Sequence, residues 1–241
     1  MNIVALFNAL PGGCAQGLIW GIMAIGVFIT YKILDLADLT VDGTMCTGGA
    51  VCVVMMMNGH SVGFSLFCAF IAGMLAGLVT GIFHTAMGIP AILAGILTQL
   101  GLYSINMRIM GKANQAISVM QYDVLVSLRY IPHACLLTTG FCIVIIALLY
   151  WFFGTEIGAS VRATGCNPNM ARAQGINTNA TKVLGLVISN GLVGLAGALY
   201  AQYQGSADIN MGRGAIVIGL AAVIIGEVVF GKIFHNFALH M

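Results

Sequence analysis

The passage GTEIGASVRATGCNPNMARAQGINTNA, residues 154 to 180, is the one long polar stretch late in a chain that is otherwise almost wholly apolar. Within it Asn167 is a helix N-cap candidate, because its side-chain oxygen accepts an orphan backbone N–H, and Pro168 then stands at the first helical position, where no N–H is needed. Gly175 suits the left-handed residue that ends such a helix. These signals predict a helix over 169–174 of about two turns at most, carrying Arg172 and flanked by Arg162 and Lys182, against the single acid Glu156. So short a helix needs external support, and it lies between apolar segments each long enough to cross a bilayer. That position points to docking; a plain solvated loop is the alternative, since capping signals are common.

Hydrophobic residues make up 60% of the chain and charged residues 7%, against roughly 25% charged in soluble domains. A water-facing surface cannot be covered at that charge density. The expected fold is therefore an all-α integral membrane protein, a polytopic helical bundle in a single transmembrane domain over 1–241. At about 20 residues per span there is room for about seven or eight crossings, but not for a separate soluble domain. A net charge of +2 with no basic run gives no reason to expect nucleic acid. The seven cysteines are odd in number and fall mostly in apolar spans, so they read as small hydrophobes rather than a disulfide framework.

From the N-terminus, Leu10 to Cys14 resembles a lipoprotein ending, yet no positive region precedes it and Pro11 interrupts the apolar stretch, so no cleaved signal is expected. Gly13 to Tyr31 is the first span, with Gly17, Gly21 and Gly26 as small faces for close helix approach. LDLADLTVDGT, residues 34 to 44, then interrupts the apolar pattern. If helical, it would place Asp35, Asp38 and Asp42 on one face; the spacing is not that of a calcium loop. It reads either as an interfacial loop or as a broken helix. In the second case Asp38, Thr40, Asp42, Gly43 and Thr44 border a water-filled path, because irregular backbone at membrane depth is tolerated only there.

Further spans are expected over Thr44 to Met57, Val62 to Met87, a stretch ending near Met107, Pro132 to Phe153, Thr181 to Tyr203 and Ala215 to Phe230. Gly73, Gly77 and Gly81 recur at a four-residue interval, a helix-packing signal, and Gly191, Gly194 and Gly197 supply packing faces later. Gln99 and Asn190 are uncharged amides inside spans, and Glu227 is an acid inside or at the end of one, a functional candidate because such charges are costly. The apolar run ending at Met241 reads as an unfinished eighth span.

Several catalytic signatures fail. GEVVFGKI, residues 226 to 233, nearly spells a phosphate loop, but Ile233 replaces the magnesium-binding Ser or Thr and no nucleotide-binding fold precedes it. The five histidines make no HExxH pattern, and no serine sits in a nucleophile elbow. The expectation is a transport protein without catalytic machinery of its own. Charge counting gives no orientation.

Arg162, Ala163, Gly165, Asn167 and Ala171, followed by Gly175, Ile176 and Asn177, resemble the cytoplasmic coupling loop of ABC importer permeases of the branched-chain amino acid and ribose type. The stretches Gly185 to Gly205 and Phe7 to Asp42 resemble that family too, so nearly the whole chain is covered. LADLTVDGT looks most like a branch found beside binding proteins for aromatic amino acids. The resemblance implies that the short helix after Asn167 inserts into a groove of a separate ATP-hydrolysing subunit, which binds the ATP and magnesium, while this chain holds no cofactor. Two permease copies, expected to be identical, would form the pore within the lipids of the cell membrane, and an extracytoplasmic binding protein would deliver the solute. Residues 154 to 180 would be cytoplasmic and residues 108 to 131 outward-facing, with Arg162 and Arg172 making polar contacts to the ATPase and Gly165 and Gly175 permitting tight turns. Family members ordinarily continue through another span or two. An ion-coupled secondary transporter, with Glu227 and the Asp cluster as its charges, is the alternative.

Overall fold

The computed structural model describes residues 3–117, 125–126 and 131–230. Helix α1, Ile3–Phe28, runs on into a π-helical turn, Ile29–Ile33, and an irregular segment over 34–39 leads to α2, Thr40–Met57. There follow α3, Val62–Thr85, and α4, Ala91–Met110; then β1, Asn114–Ala116; then α5, Ile131–Gly154, with the short helices α6, Glu156–Cys166, and α7, Pro168–Ala173. The long helix α8, Thr178–Gln204, is followed by β2, Ser206–Asp208, and by α9, Ala215–Phe230. Among the described residues this is a helical bundle with one small two-stranded antiparallel ribbon, Asn114 opposite Asp208 and Ala116 opposite Ser206. Among the described residues six helices are long and apolar enough to cross a membrane.

Glycine decides what lies at the centre. Helices associate closely in a bilayer only where small residues let backbones approach. On α3, a side-chain carbon at Gly73 would meet the Asn190 carbonyl, at Gly77 the Leu186 carbonyl, and at Gly81 the Val183 side chain. On α8, Gly194 faces Ala69 and Gly197 faces the Met45 carbonyl of α2, while Gly48 of α2 abuts Gly194. The α3–α8 and α2–α8 contacts are accordingly the most extensive, and α2 and α8 are the most buried spans. Gly191 also packs, against Phe70 and Met74. On α1 the outcome is mixed: Gly26 meets Ser189 of α8, but Gly17 and Gly21 have nothing within 4 Å of an added side-chain carbon.

The two ends of the bundle follow from α8. At its start it continues from α7, so the polar passage forms one end; at its finish it enters the ribbon with β1, so residues 111–117 lie at the other. Tyr203 donates to the Gly12 carbonyl at the ribbon end (2.9 Å) and Ser189 donates to the Gly26 carbonyl further along (2.7 Å), so α1 runs antiparallel to α8. After α1 reaches the polar-loop end, residues 34–39 turn back between helices, and α2 runs parallel to α8, from Thr44 beside Asn190 to Cys52 beside Gln202.

The helix is interrupted before α2: the segment at 34–39 is not helical and Asp35 has φ +53°, so the condition under which the three acids would share a helix face is not met. The final described helix, Ala215–Phe230, keeps its expected bounds, and Phe230 is the last described residue. It starts beside Asp42, near the midpoint of α8, and ends at the polar-loop end, where Glu227 meets Lys32. The expected eighth span lies outside the described residues.

Candidate functional site

The polar passage forms two helices rather than one. Thr155 caps α6 by accepting from the Gly158 amide. Asn167 caps α7, its Oδ1 accepting from the amides of Asn169 and Met170, both at 3.1 Å, with Pro168 at the first helical position. Gly175 closes the turn after α7 in the left-handed region, φ +83°, and the Ile176 amide returns to the Ala171 carbonyl. A third cap, Asn177, accepts from Asn179 and Ala180 and starts α8 three residues before the expected Thr181. Asn167→Ala is expected to cost about 1 kcal/mol of local stability. Hydrogen exchange at the Asn169 and Met170 amides should therefore rise about fivefold; unchanged exchange at those two amides would reject the cap.

The passage is held to the bundle through few points. Ala171 is buried, whereas Met170 is 62% exposed and Arg172 is exposed. Arg172 Nε donates to Thr178 Oγ1 at 2.8 Å, and the hydroxyls of Thr164 and Thr181 lie 2.8 Å apart, so both short helices are tied to the first turn of α8. Ala163 lies on the exposed side of α6 and Arg162 is half-buried. Gly165 does not make a turn: it lies inside α6, where a side-chain carbon would collide with the Ile33 carbonyl at the end of the π-helical turn. Thus the passage touches the start of α8 and the end of α1 while one face of α7 stays open.

Near the midpoint of α8 lies a second polar cluster. Asn190 donates from Nδ2 to Asp38 Oδ2 at 2.7 Å, and its Oδ1 accepts from Thr44 Oγ1 at 2.8 Å. The other oxygen of Asp38 accepts the first amide of α2, that of Thr40, at 2.9 Å. A file of hydroxyls continues from Thr40 to Thr80 of α3 (2.8 Å) and on to Thr98 of α4 (2.9 Å). Bond by bond, α8, the irregular segment, α2, α3 and α4 are stitched together at one depth. Within the irregular segment Leu34 and Asp38 are buried, and the amides of Leu34 and Leu36 return to the carbonyls of Ile29 and Thr30, which helps irregular backbone persist there.

Of the remaining sequence candidates, Gly43 packs against Gln99 of α4, which is partly exposed. Asp42 has a structural partner that its sequence neighbourhood does not announce. Its carboxylate accepts from the amides of Gly214 (3.1 Å) and Ile216 (3.0 Å), so it caps α9 from another helix. Glu227 stands apart from this cluster, ion-paired with Lys32 at 2.6 Å, both side chains about half exposed. Sequence reasoning missed Thr80 and Thr98. Each also bonds the carbonyl four residues back, as a membrane-span threonine ordinarily does, and only the fold shows that their hydroxyls meet.

A family profile described as "Branched-chain amino acid transport system / permease component" matches residues 10–239. The chain is 42% identical over 217 residues to a tyrosine transport system permease protein of Clostridioides difficile, covering 90% of this chain and 72% of that one. It is 27% identical over 220 residues to an autoinducer 2 import system permease protein of Escherichia coli, covering 89% and 61% respectively. No solved structure matches. A bundle of membrane-crossing helices with a matching profile over nearly its whole length is decisive: the chain is a multi-pass membrane protein that belongs to the branched-chain amino acid transport permease family, the membrane-spanning components of ATP-binding-cassette transporters, and it is a transport component rather than an enzyme.

Proposed function

We propose that this permease forms, with a second copy of itself, the pore of an importer that takes up an aromatic amino acid handed over by an extracytoplasmic binding protein. The polar-loop end faces the cytoplasm, and α7 seats in a groove of an ATP-hydrolysing subunit that binds ATP and magnesium. The observation that carries this reading is the shape of α7: a short, doubly capped helix with Ala171 turned inward and Met170 outward, held to the bundle only through α6 and the start of α8. The docking surface combines Arg162 and Ala163 of α6 with Asn167, Pro168 and Arg172 at α7, while Gly165 and Gly175 set its position. The solute class rests on the likeness to the tyrosine transport system permease.

In this mechanism ATP-driven closure of the two hydrolysing subunits moves α7, and α5 and α8 act as levers that reopen the central path. Gln99 and Glu227 reach the surface of the chain and face that path; Asp38, Thr40, Asp42, Gly43, Thr44 and Asn190 shape it from behind. The test is copurification of the tagged permease with its ATP-hydrolysing subunit, then uptake of labelled tyrosine into vesicles. Uptake that needs ATP and survives an ionophore is expected. Uptake that collapses with the ion gradient and ignores ATP depletion would instead identify an ion-coupled carrier.

A further inference from the structure

A clasp between Asp38 and Asn190 joins α8 to the start of α2, away from the docking passage. Its two side chains are 3% and 0% exposed. Neither touches open surface, so contact with the solute is not their task in this arrangement. Their neighbours show what they join. Asn190 lies on α8, the helix whose first turn is bonded to α6 and α7 through Thr181 and Thr178. Asp38 lies in the only stretch between α1 and α2 without helical hydrogen bonding, and it holds the first amide of α2. From the clasp the hydroxyls of Thr40, Thr80 and Thr98 lead on to α3 and α4. Elsewhere α2 meets α8 through glycine-backed packing at Gly48 and Gly197, and near the ribbon end through a bond from Gln202 Nε2 to the Cys52 thiol, a weak acceptor that holds far less firmly than the clasp.

We infer that Asp38 and Asn190 are positioning residues that transmit displacement of α8 to the start of α2, so that movement of the docking passage at one end reshapes the chain at mid-depth. This rests on the permease reading proposed above. A rigid helix carries motion along its axis, and the side-chain hydrogen bonds at its midpoint decide which neighbour follows. Both oxygens of Asp38 are engaged, one by the Asn190 amide and one by the Thr40 N–H, and removing one partner leaves a buried polar group unsatisfied at a cost of about 1–3 kcal/mol, roughly fivefold or more.

The clasp has a defined reciprocal. In Asp38→Asn combined with Asn190→Asp, the new amide at 38 still accepts from Thr40 and donates to the new carboxyl group, which still accepts from Thr44; the one bond not restored is that from Asn190 Nδ2 to the Leu186 carbonyl of its own helix (3.1 Å). Asn190→Asp alone sets two buried carboxylates against each other. The experiment uses the whole transporter in proteoliposomes, measuring tyrosine uptake and ATP hydrolysis together with the amount of permease incorporated. Asn190→Asp is expected to lower solute moved per ATP hydrolysed by about tenfold, and the reciprocal pair to return it to within about threefold of the unsubstituted protein. A purely structural role would lower incorporation and leave that ratio unchanged, which overturns the inference. So does a reciprocal pair that assembles normally yet stays uncoupled, and this holds even where the single variant fails to assemble. Absence of ATP-driven tyrosine uptake in the unsubstituted control overturns the aromatic amino acid importer proposed above, and this inference, which is stated for that importer, with it.

Discussion

Gly48→Leu is expected to leave almost no folded permease in the membrane. A side-chain carbon at Gly48 would sit on the Gly194 carbonyl, and one turn nearer the start of α2 the Met45 carbonyl already closes on Gly197. Backbone atoms cannot rotate out of the way, so relief requires pushing α2 off α8. Overpacking a core commonly costs about 1–3 kcal/mol where side chains can yield; here they cannot, and the cost exceeds that range against a total stability of about 5–15 kcal/mol. The monodisperse fraction of a fluorescent fusion on size-exclusion chromatography in mild detergent should fall about tenfold or more, the factor that each 1.4 kcal/mol brings. Gly21→Leu is the matched control, because nothing lies within 4 Å of the carbon it adds. Equal yields for the two variants would refute the close α2–α8 approach.

Gly175→Val is expected to abolish uptake while leaving the bundle intact. At φ +83° a β-branched residue is strained, by about 1–3 kcal/mol. Helix α7 has only six residues, and beside that turn it is held by the Asn167 cap, the buried Ala171 and the Arg172–Thr178 bond. A cost of about 2 kcal/mol lowers the population of the docked geometry about thirtyfold, and tyrosine uptake should drop by a similar factor at unchanged permease abundance. Gly175→Asn separates conformation from size, since asparagine tolerates the left-handed region. It should keep most of the uptake. Full transport by the valine variant would show that α7 does not need this turn.

The legible parts of the fold were those encoded over a few residues. Gly73, Gly77 and Gly81 announced a packing face because their interval matches one turn of helix, and Asn167, Pro168 and Gly175 announced a short helix because capping chemistry is local. The same reasoning overreached at Gly17 and Gly21: glycine permits a close approach without supplying the partner. Gly165 shows the converse, since a residue taken to make a turn lies within α6 and makes room for the Ile33 carbonyl. The region of Asp38, Asp42 and Thr44 stood out because acids are costly in an apolar chain. What each acid does was not written beside it, because the partners of Asp38 and Asp42 lie 152 and 172 residues away. Thr80 and Thr98 were invisible for a related reason: within their own helices they are ordinary, and their meaning comes from facing one another.

The capping of α9 by Asp42 has a consequence for how the chain is made. Synthesis runs from the N-terminus at about 5–20 residues per second, so the 172 residues between Asp42 and Gly214 delay their meeting by roughly 10 to 35 seconds. Throughout that interval the carboxylate waits in a half-built protein with neither of its eventual amide donors yet in place. The newborn α2 must therefore be sheltered by the insertion machinery, or kept near water, until the last described helix leaves the ribosome and is received by a residue made long before it.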